Sequence, residues 1–131
     1  MKVLVDTSVW SMALRRNIPT DDPRIETLGE LLKQEQVVLC GIILQEILQG
    51  IRDDKRFRLI SDYLQAVPLI DLAWSDFIEA ARIWNLCRSN GVQASTVDCQ
   101  IASVCVRYGC ALLTADQDFQ HIARYCPLQL L

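Results

Sequence analysis

Short apolar runs without polar alternation constrain this chain more than any other feature. "KVLVD" at 2–6, "VVLCG" at 37–41, "PLIDL" at 68–72 and "ALLT" at 111–114 are each four or five residues long. That is strand length, and a strand with no polar face must be covered on both sides. Between the runs lie segments with apolar residues at helical spacing. "PRIETLGELLKQ" carries Ile25, Leu28, Leu31 and Leu32 on one face and starts at Asp22-Pro23, a helix-opening pair. "IILQEILQGI" and "DKRFRLISDYLQAV" follow, the second stopped by Pro68. "WSDFIEAARIWNLCRSNG" has Trp74, Phe77, Ile78, Ala81 and Trp84 in helical register and closes on Gly91. "STVDCQIASVCVRYG" ends at Gly109, and "QDFQHIARY" reads as a short last helix before "LQLL". Strands alternating with helices predict an α/β fold with a mostly parallel sheet covered by helices on both faces. Its ligand site is expected beyond the carboxyl ends of the strands.

At 131 residues the chain fits one domain, 1–131, with no repeat or linker to divide it. Apolar runs are interrupted well before the roughly 18–20 residues of a membrane span, and no basic stretch precedes a long apolar one. A cytoplasmic protein without membrane contact is expected. The six cysteines show no CxxC and no zinc-type Cys/His spacing, so they are expected as buried reduced thiols. A net charge of −3 argues against a protein that coats nucleic acid, though not against an enzyme that cuts it.

The informative residues are acids. Asp6 closes the first run and Asp116 follows "ALLT" by two residues, which puts both at the same edge of a parallel sheet. Glu46 and Asp98 stand inside otherwise apolar helices. Each has a plain alternative. Asp6 can cap a helix starting at Thr7 or Ser8, and Asp116 or Asp118 can cap the last helix. Ser95 and Asp98 match a capping box, and Glu46 with Gln45 and Gln49 makes a solvated face. Yet Asp98 lies in line with Ile101, Ala102 and Cys105, an inward stripe, and a buried carboxylate needs a partner. Carboxylates gathered at one edge raise one another's pKa unless a cation neutralises them. With no His or Cys placed among them, such an all-oxygen set suits Mg²⁺ or Mn²⁺, the usual apparatus of phosphodiester hydrolysis.

Four blocks, "LVDTSVW" at Leu4–Trp10, "LQEILQG" at Leu44–Gly50, "TVDCQIA" at Thr96–Ala102 and "LLTADQDF" at Leu112–Phe119, resemble the PIN domain family in order and spacing. The likeness is greatest to VapC-type ribonuclease toxins of bacterial toxin–antitoxin pairs and covers nearly the whole chain. It implies a three-layer α/β/α fold and an endoribonuclease dependent on Mg²⁺, with Mn²⁺ as a substitute. The four acidic positions of the family are here Asp6, Glu46, Asp98 and Asp116. By resemblance Asp6 and Asp98 are direct metal ligands, Asp116 is direct or acts through water, and Glu46 holds a metal-bound water or a second ion. Thr7, Ser8 and Thr114 orient carboxylates or waters through their hydroxyls, and Asp118 matches an extra acid of the D-x-D-F type. The implied reaction is in-line attack by a metal-activated water on single-stranded or looped RNA, leaving 5′-phosphate and 3′-hydroxyl ends. The implied partners are a second copy of the chain and an antitoxin whose C-terminal segment covers the site, with an Arg offered to the carboxylates.

Positive charge for an RNA substrate must come from Arg15, Arg16, Arg52, Lys55, Arg56 and Arg58, although Asp53 and Asp54 offset part of it and a solvated helix face explains "RDDKRFR" as well. His121 reads as a surface helix residue. Ile25, Leu28, Leu32, Ile43, Ile47 and Leu48 fit either an antitoxin groove or helix-on-sheet packing. A phospho-accepting receiver domain is excluded because it wants an acidic pair after the first strand and a lysine after a late one, and the lysines here are Lys2, Lys33 and Lys55. A haloacid-dehalogenase phosphatase wants D-x-D where this chain has Asp6-Thr7-Ser8. Two rivals stand: a PIN-like module that binds RNA or protein without cutting, and a housekeeping RNA-processing nuclease without an antitoxin.

Overall fold

Each short apolar run becomes a strand, and all but the edge strand from "PLIDL" are wholly buried. The computed structural model describes residues 1–15 and 21–131. Along the described residues run β1 (Val3–Val5), α1 (Thr7–Ala13), α2 (Pro23–Lys33), β2 (Val37–Cys40), α3 (Gly41–Gln49), α4 (Asp54–Leu64), β3 (Leu69–Ile70), α5 (Trp74–Ser89), α6 (Thr96–Tyr108), β4 (Ala111–Leu113), α7 (Asp118–Ile122) and β5 (Gln129–Leu130). The strands form one sheet in the order β3-β2-β1-β4-β5, and every pairing is parallel. All residues of β1, β2 and β4 are buried. Because side chains alternate across a strand, total burial means both sheet faces are covered.

The helices that cover them fall into two groups. α1 packs on α2 and α3, and α3 on α4; α5 packs on α6, and α6 on α7. Parallel strands joined this way require crossover helices, and the order places a topological switch between β1 and β4. From β1 the chain builds outward to β2 and β3 on one side, then returns to add β4 and β5 on the other. Connections leave such a switch in opposite directions and open a crevice at the carboxyl ends.

Local signals set several boundaries. Asp22 accepts the Arg24 N–H at the start of α2, with Pro23 in its first turn. Ser95 opens α6 by accepting the Asp98 N–H at 3.0 Å, and Gly109 ends it with φ +64°, a left-handed conformation that glycine adopts freely.

Three expectations need correction. "LQLL" holds a fifth strand, β5, in register with β4, although the run is too short to show a period. The last helix covers only Asp118–Ile122. On α5 the expected stripe faces outward: Trp74 is 82% exposed and Phe77 49%, while Asp76, Ala80, Ile83 and Cys87 face the core. Periodicity registers spacing, not direction, and this helix has two apolar stripes. The one with smaller side chains is turned inward. Among the antitoxin-groove candidates, Leu28, Ile43 and Ile47 are core residues, which decides them for packing. The six cysteines form no disulfide, and all but Cys126 are buried. Burial pushes the Cys99 thiol up to about 11, so it stays protonated at neutral pH. No helix among the described residues is long and apolar enough to cross a membrane.

Candidate active site

Asp6 leaves the end of β1 at the switch. Its N–H still donates to the Leu113 carbonyl of β4 at 2.9 Å, so the strand register carries one residue further and fixes where the side chain starts. The carboxylate caps nothing: α1 has no side-chain cap bond from Asp6. Instead Oδ2 accepts the Ser8 hydroxyl at 2.7 Å and the Thr114 hydroxyl at 2.9 Å. Thr114 Oγ1 also accepts the Asp116 N–H, and Ser8 Oγ the Ala115 N–H. The two strand ends are therefore laced together by hydroxyls around one buried carboxylate, 7% exposed.

Asp98, Asp116 and Asp118 meet beside it. One carboxylate oxygen from each lies within 4.8 Å of the others, close enough for a single cation to touch all three. Asp98 sits in the first turn of α6 and Asp116 on the loop after β4. Burial pushes Asp98 up from 3.8 to about 6, the Ser95 hydroxyl opposing this and the charges of Asp6, Asp116 and Asp118 adding to it. The helix-cap alternatives are met in part. Ser95 caps α6 through the Asp98 backbone, and Asp116 Oδ1 accepts the Asp118 N–H at 2.9 Å, a turn leading into α7. Both acids keep a free oxygen beyond these roles.

Glu46 does not belong to the solvated face of its neighbours. Gln45 and Gln49 bond to each other on the exposed side, while Glu46 Oε1 accepts the Thr7 hydroxyl at 3.0 Å across from α1. All four expected acids thus occur at the carboxyl edge of β1, β4 and the adjoining helices. The tightest group, however, contains Asp118, which the resemblance gave only as an extra acid, and omits Asp6 and Glu46. A carboxylate five residues past the end of β4 looks like any loop acid, and only the turn made by Asp116 brings it back.

A sequence model described as "PIN domain" matches residues 3–125. The chain is a PIN domain. Curated relatives at 30% identity include the VapC ribonuclease of Mycobacterium bovis and ribonuclease VapC11 of Mycobacterium tuberculosis, each alignment covering 97% of this chain and 96% of the relative. Among solved structures, VapBC2 from Rickettsia felis, bound to a DNA fragment from its promoter, matches with TM-score 0.80 at 18% identity over 100% of this chain and 98% of that one. FitAcB from Neisseria gonorrhoeae matches with TM-score 0.77 at 20% identity over 98% and 96%. At these identities the likeness is one of fold.

The hydroxyls of this PIN domain give a direct test of positioning. Thr7→Val deletes the bond to Glu46 while keeping the shape of a β-branched side chain on α1. Loss of a supporting partner typically costs ten- to hundredfold in activity. We expect a loss of about that size with a melting temperature close to that of the parent, checked by cleavage kinetics beside thermal denaturation.

Proposed function

We propose that this PIN domain is a metal-dependent endoribonuclease, the toxin of a toxin–antitoxin pair, acting in the cytoplasm through the single domain 1–131. The carrying observation is the convergence of Asp98, Asp116 and Asp118 oxygens within 4.8 Å. Relatives named ribonucleases over nearly the whole chain support the same reading, and neighbours solved as toxin–antitoxin complexes support a protein antitoxin. An all-carboxylate donor set fits a hard divalent ion, Mg²⁺ or Mn²⁺. Asp98, Asp116 and Asp118 would hold it, with Asp6 and Glu46 adjoining. Such an ion supplies charge neutralisation at the phosphate and acidifies water.

The side chains divide the remaining work. Ser8 and Thr114 hold Asp6 in one orientation, so its second oxygen faces a fixed direction at the strand end. Thr7 holds Oε1 of Glu46 and leaves Oε2 to orient an attacking water and accept its proton. The Asp98 carboxyl, pushed up to about 6 by burial and by the neighbouring acids, must be ionised to hold a cation, so metal binding would compete with protons there. Unpaired RNA fits best, since its backbone can enter an open crevice. A second copy of the chain and the antitoxin are the protein partners of this reading. An apolar cleft between α3 and α4, lined by Leu44, Leu48 and Phe57, offers the antitoxin a seat.

Incubating the purified chain with labelled RNA, with Mg²⁺, Mn²⁺ or a chelator, tests the proposal. Cleavage is expected with metal only and not in Asp6→Asn or Asp98→Asn. Cleavage that persists in chelator or survives both substitutions would sink it, and binding without any metal-dependent cleavage would favour the non-cutting module. A small reading frame beside the coding sequence, whose product blocks cleavage, would distinguish the toxin from a housekeeping nuclease.

A further inference from the structure

A pocket of about 370 Å³ opens between the end of α1, the end of α3 and the start of α4, walled by Ser11, Leu14, Arg15, Arg52, Asp53 and Arg56. Three arginines and one aspartate thus line one pocket. Asp53 is already engaged as the cap of α4, accepting the Arg56 N–H at 3.2 Å, and the Arg56 side chain donates to the Leu14 carbonyl. Arg24, Arg58, Arg82 and Arg107 each pair with an acid, Arg88 lies over Trp84, and Arg124 stands apart after α7. Among the described residues Arg15, Arg52 and Arg56 make no ion pair, and they are gathered at one place. Lys55 and Arg58 from the same sequence run lie on the exposed face instead. Arg16 lies outside the described residues.

The pocket adjoins the acids through two helices. Ser11 stands one turn after Thr7 on α1, and Gly50, also in the wall, stands one turn after Glu46. One turn is about 5.4 Å of rise, and Thr7 and Glu46 are bonded to each other. The pocket wall therefore lies about one helical turn from the Thr7–Glu46 pair. A polyanion approaching a site with five acids gains from cations flanking that site rather than within it.

We infer that the pocket of Arg15, Arg52 and Arg56 binds a backbone phosphate of the RNA strand flanking the cut, and so positions the substrate. This rests on the ribonuclease reading. Arg56, braced against Leu14, forms the fixed wall. Arg15 and Arg52 are the exposed arms that close on the phosphate without reading its base.

The test is anisotropy of a fluorescein-labelled single-stranded RNA oligonucleotide with the full chain in chelator, across a salt series, for the parent, Arg15→Gln/Arg52→Gln, and the charge-matched control Arg82→Gln/Arg88→Gln. Single-strand binding weakens with salt at a slope of about 0.7 per phosphate contact. The pocket variant is expected to bind about tenfold more weakly on oligonucleotides of different sequence, with a slope reduced by roughly 0.7–1.4. Its cleavage defect should fall on KM more than on kcat, and the control should match the parent. An unchanged affinity and slope, an equal change in the control, or a parent that binds no RNA overturns the inference. Weakened capture of a protein partner with RNA binding intact overturns it too and assigns the pocket to that partner. If the parent binds RNA but never cleaves it with metal, the ribonuclease reading fails while the salt slopes still judge the pocket.

Discussion

Replacing Asp98 by asparagine is expected to abolish RNA cleavage and, at pH 7, to make the metal-free protein more stable. The loss of activity follows from its place among the three converging carboxylates. It should exceed the ten- to hundredfold typical of a merely supporting residue. The gain in stability follows from charge. Asp98 is pushed up to about 6 in the folded protein, chiefly by burial and then by Asp6, Asp116 and Asp118, against an ordinary value of 3.8. A group held above its unfolded pKa contributes stability that is fully present below about 3.8 and is lost as pH rises through about 6. At neutral pH the parent bears the whole of that loss. The amide of the variant cannot ionise, so the variant should be more stable by about 1–2 kcal/mol after allowance for solvent screening. Urea denaturation in chelator at pH 4.5, 6 and 7.5 reads it out: the parent weakens across this range and the variant does so less. Added Mg²⁺ should stabilise the parent by mass action and leave the variant nearly unmoved. A variant that is less stable than the parent at pH 7.5 would refute the assigned electrostatics.

Asp98 is a cleaner test than Asp6, a distinction the sequence could not make. Asp6 accepts two hydroxyls that tie β1 to β4, so an amide there disturbs the fold and the site together. What the sequence does show is the fold class, because uninterrupted runs such as "VLV" and "ALL" admit few environments. It also shows the edge at which the acids gather, because residues after parallel strands must emerge on one side. Direction and turn geometry stay hidden. Phe77 and Ala80 both obey the period of α5, yet only Ala80 faces the core. The role of Asp118 depends on a bond from its backbone to the Asp116 carboxylate, and no spacing rule encodes that. The clustering of Arg15 with Arg52 and Arg56 is likewise invisible, since 37 residues separate the first two along the chain.

Asp76 is the acid whose part is wholly structural, and it yields the largest expected change in stability. It is 1% exposed on α5. Its Oδ2 accepts the Ala73 N–H at 2.7 Å, satisfying the start of the helix, and meets Arg107 Nη1 of α6 at 3.0 Å. Its Oδ1 has no partner among the described residues. The two ends of this ion pair are unlike, since the Arg107 side chain is 34% exposed and that of Asp76 0%. Deleting the arginine strands a charge in the interior, whereas deleting the acid leaves a guanidinium that can turn to water. Arg107→Ala is therefore expected to cost about 3–5 kcal/mol, a large part of the roughly 5–15 kcal/mol that holds a domain together. This corresponds to a fall in melting temperature on the order of 10 °C. Asp76→Ala should cost less, about 1–3 kcal/mol for the lost helix-start bond and the space left behind. The double variant buries no charge and should be no less stable than Arg107→Ala alone, so the two losses do not add. Chemical denaturation of the four proteins closes the cycle. A double variant showing the sum of the two single losses would mean that the pair is not coupled and that Asp76 serves α5 only through its bond to Ala73, whereas equal single losses would refute the asymmetry assigned to the pair.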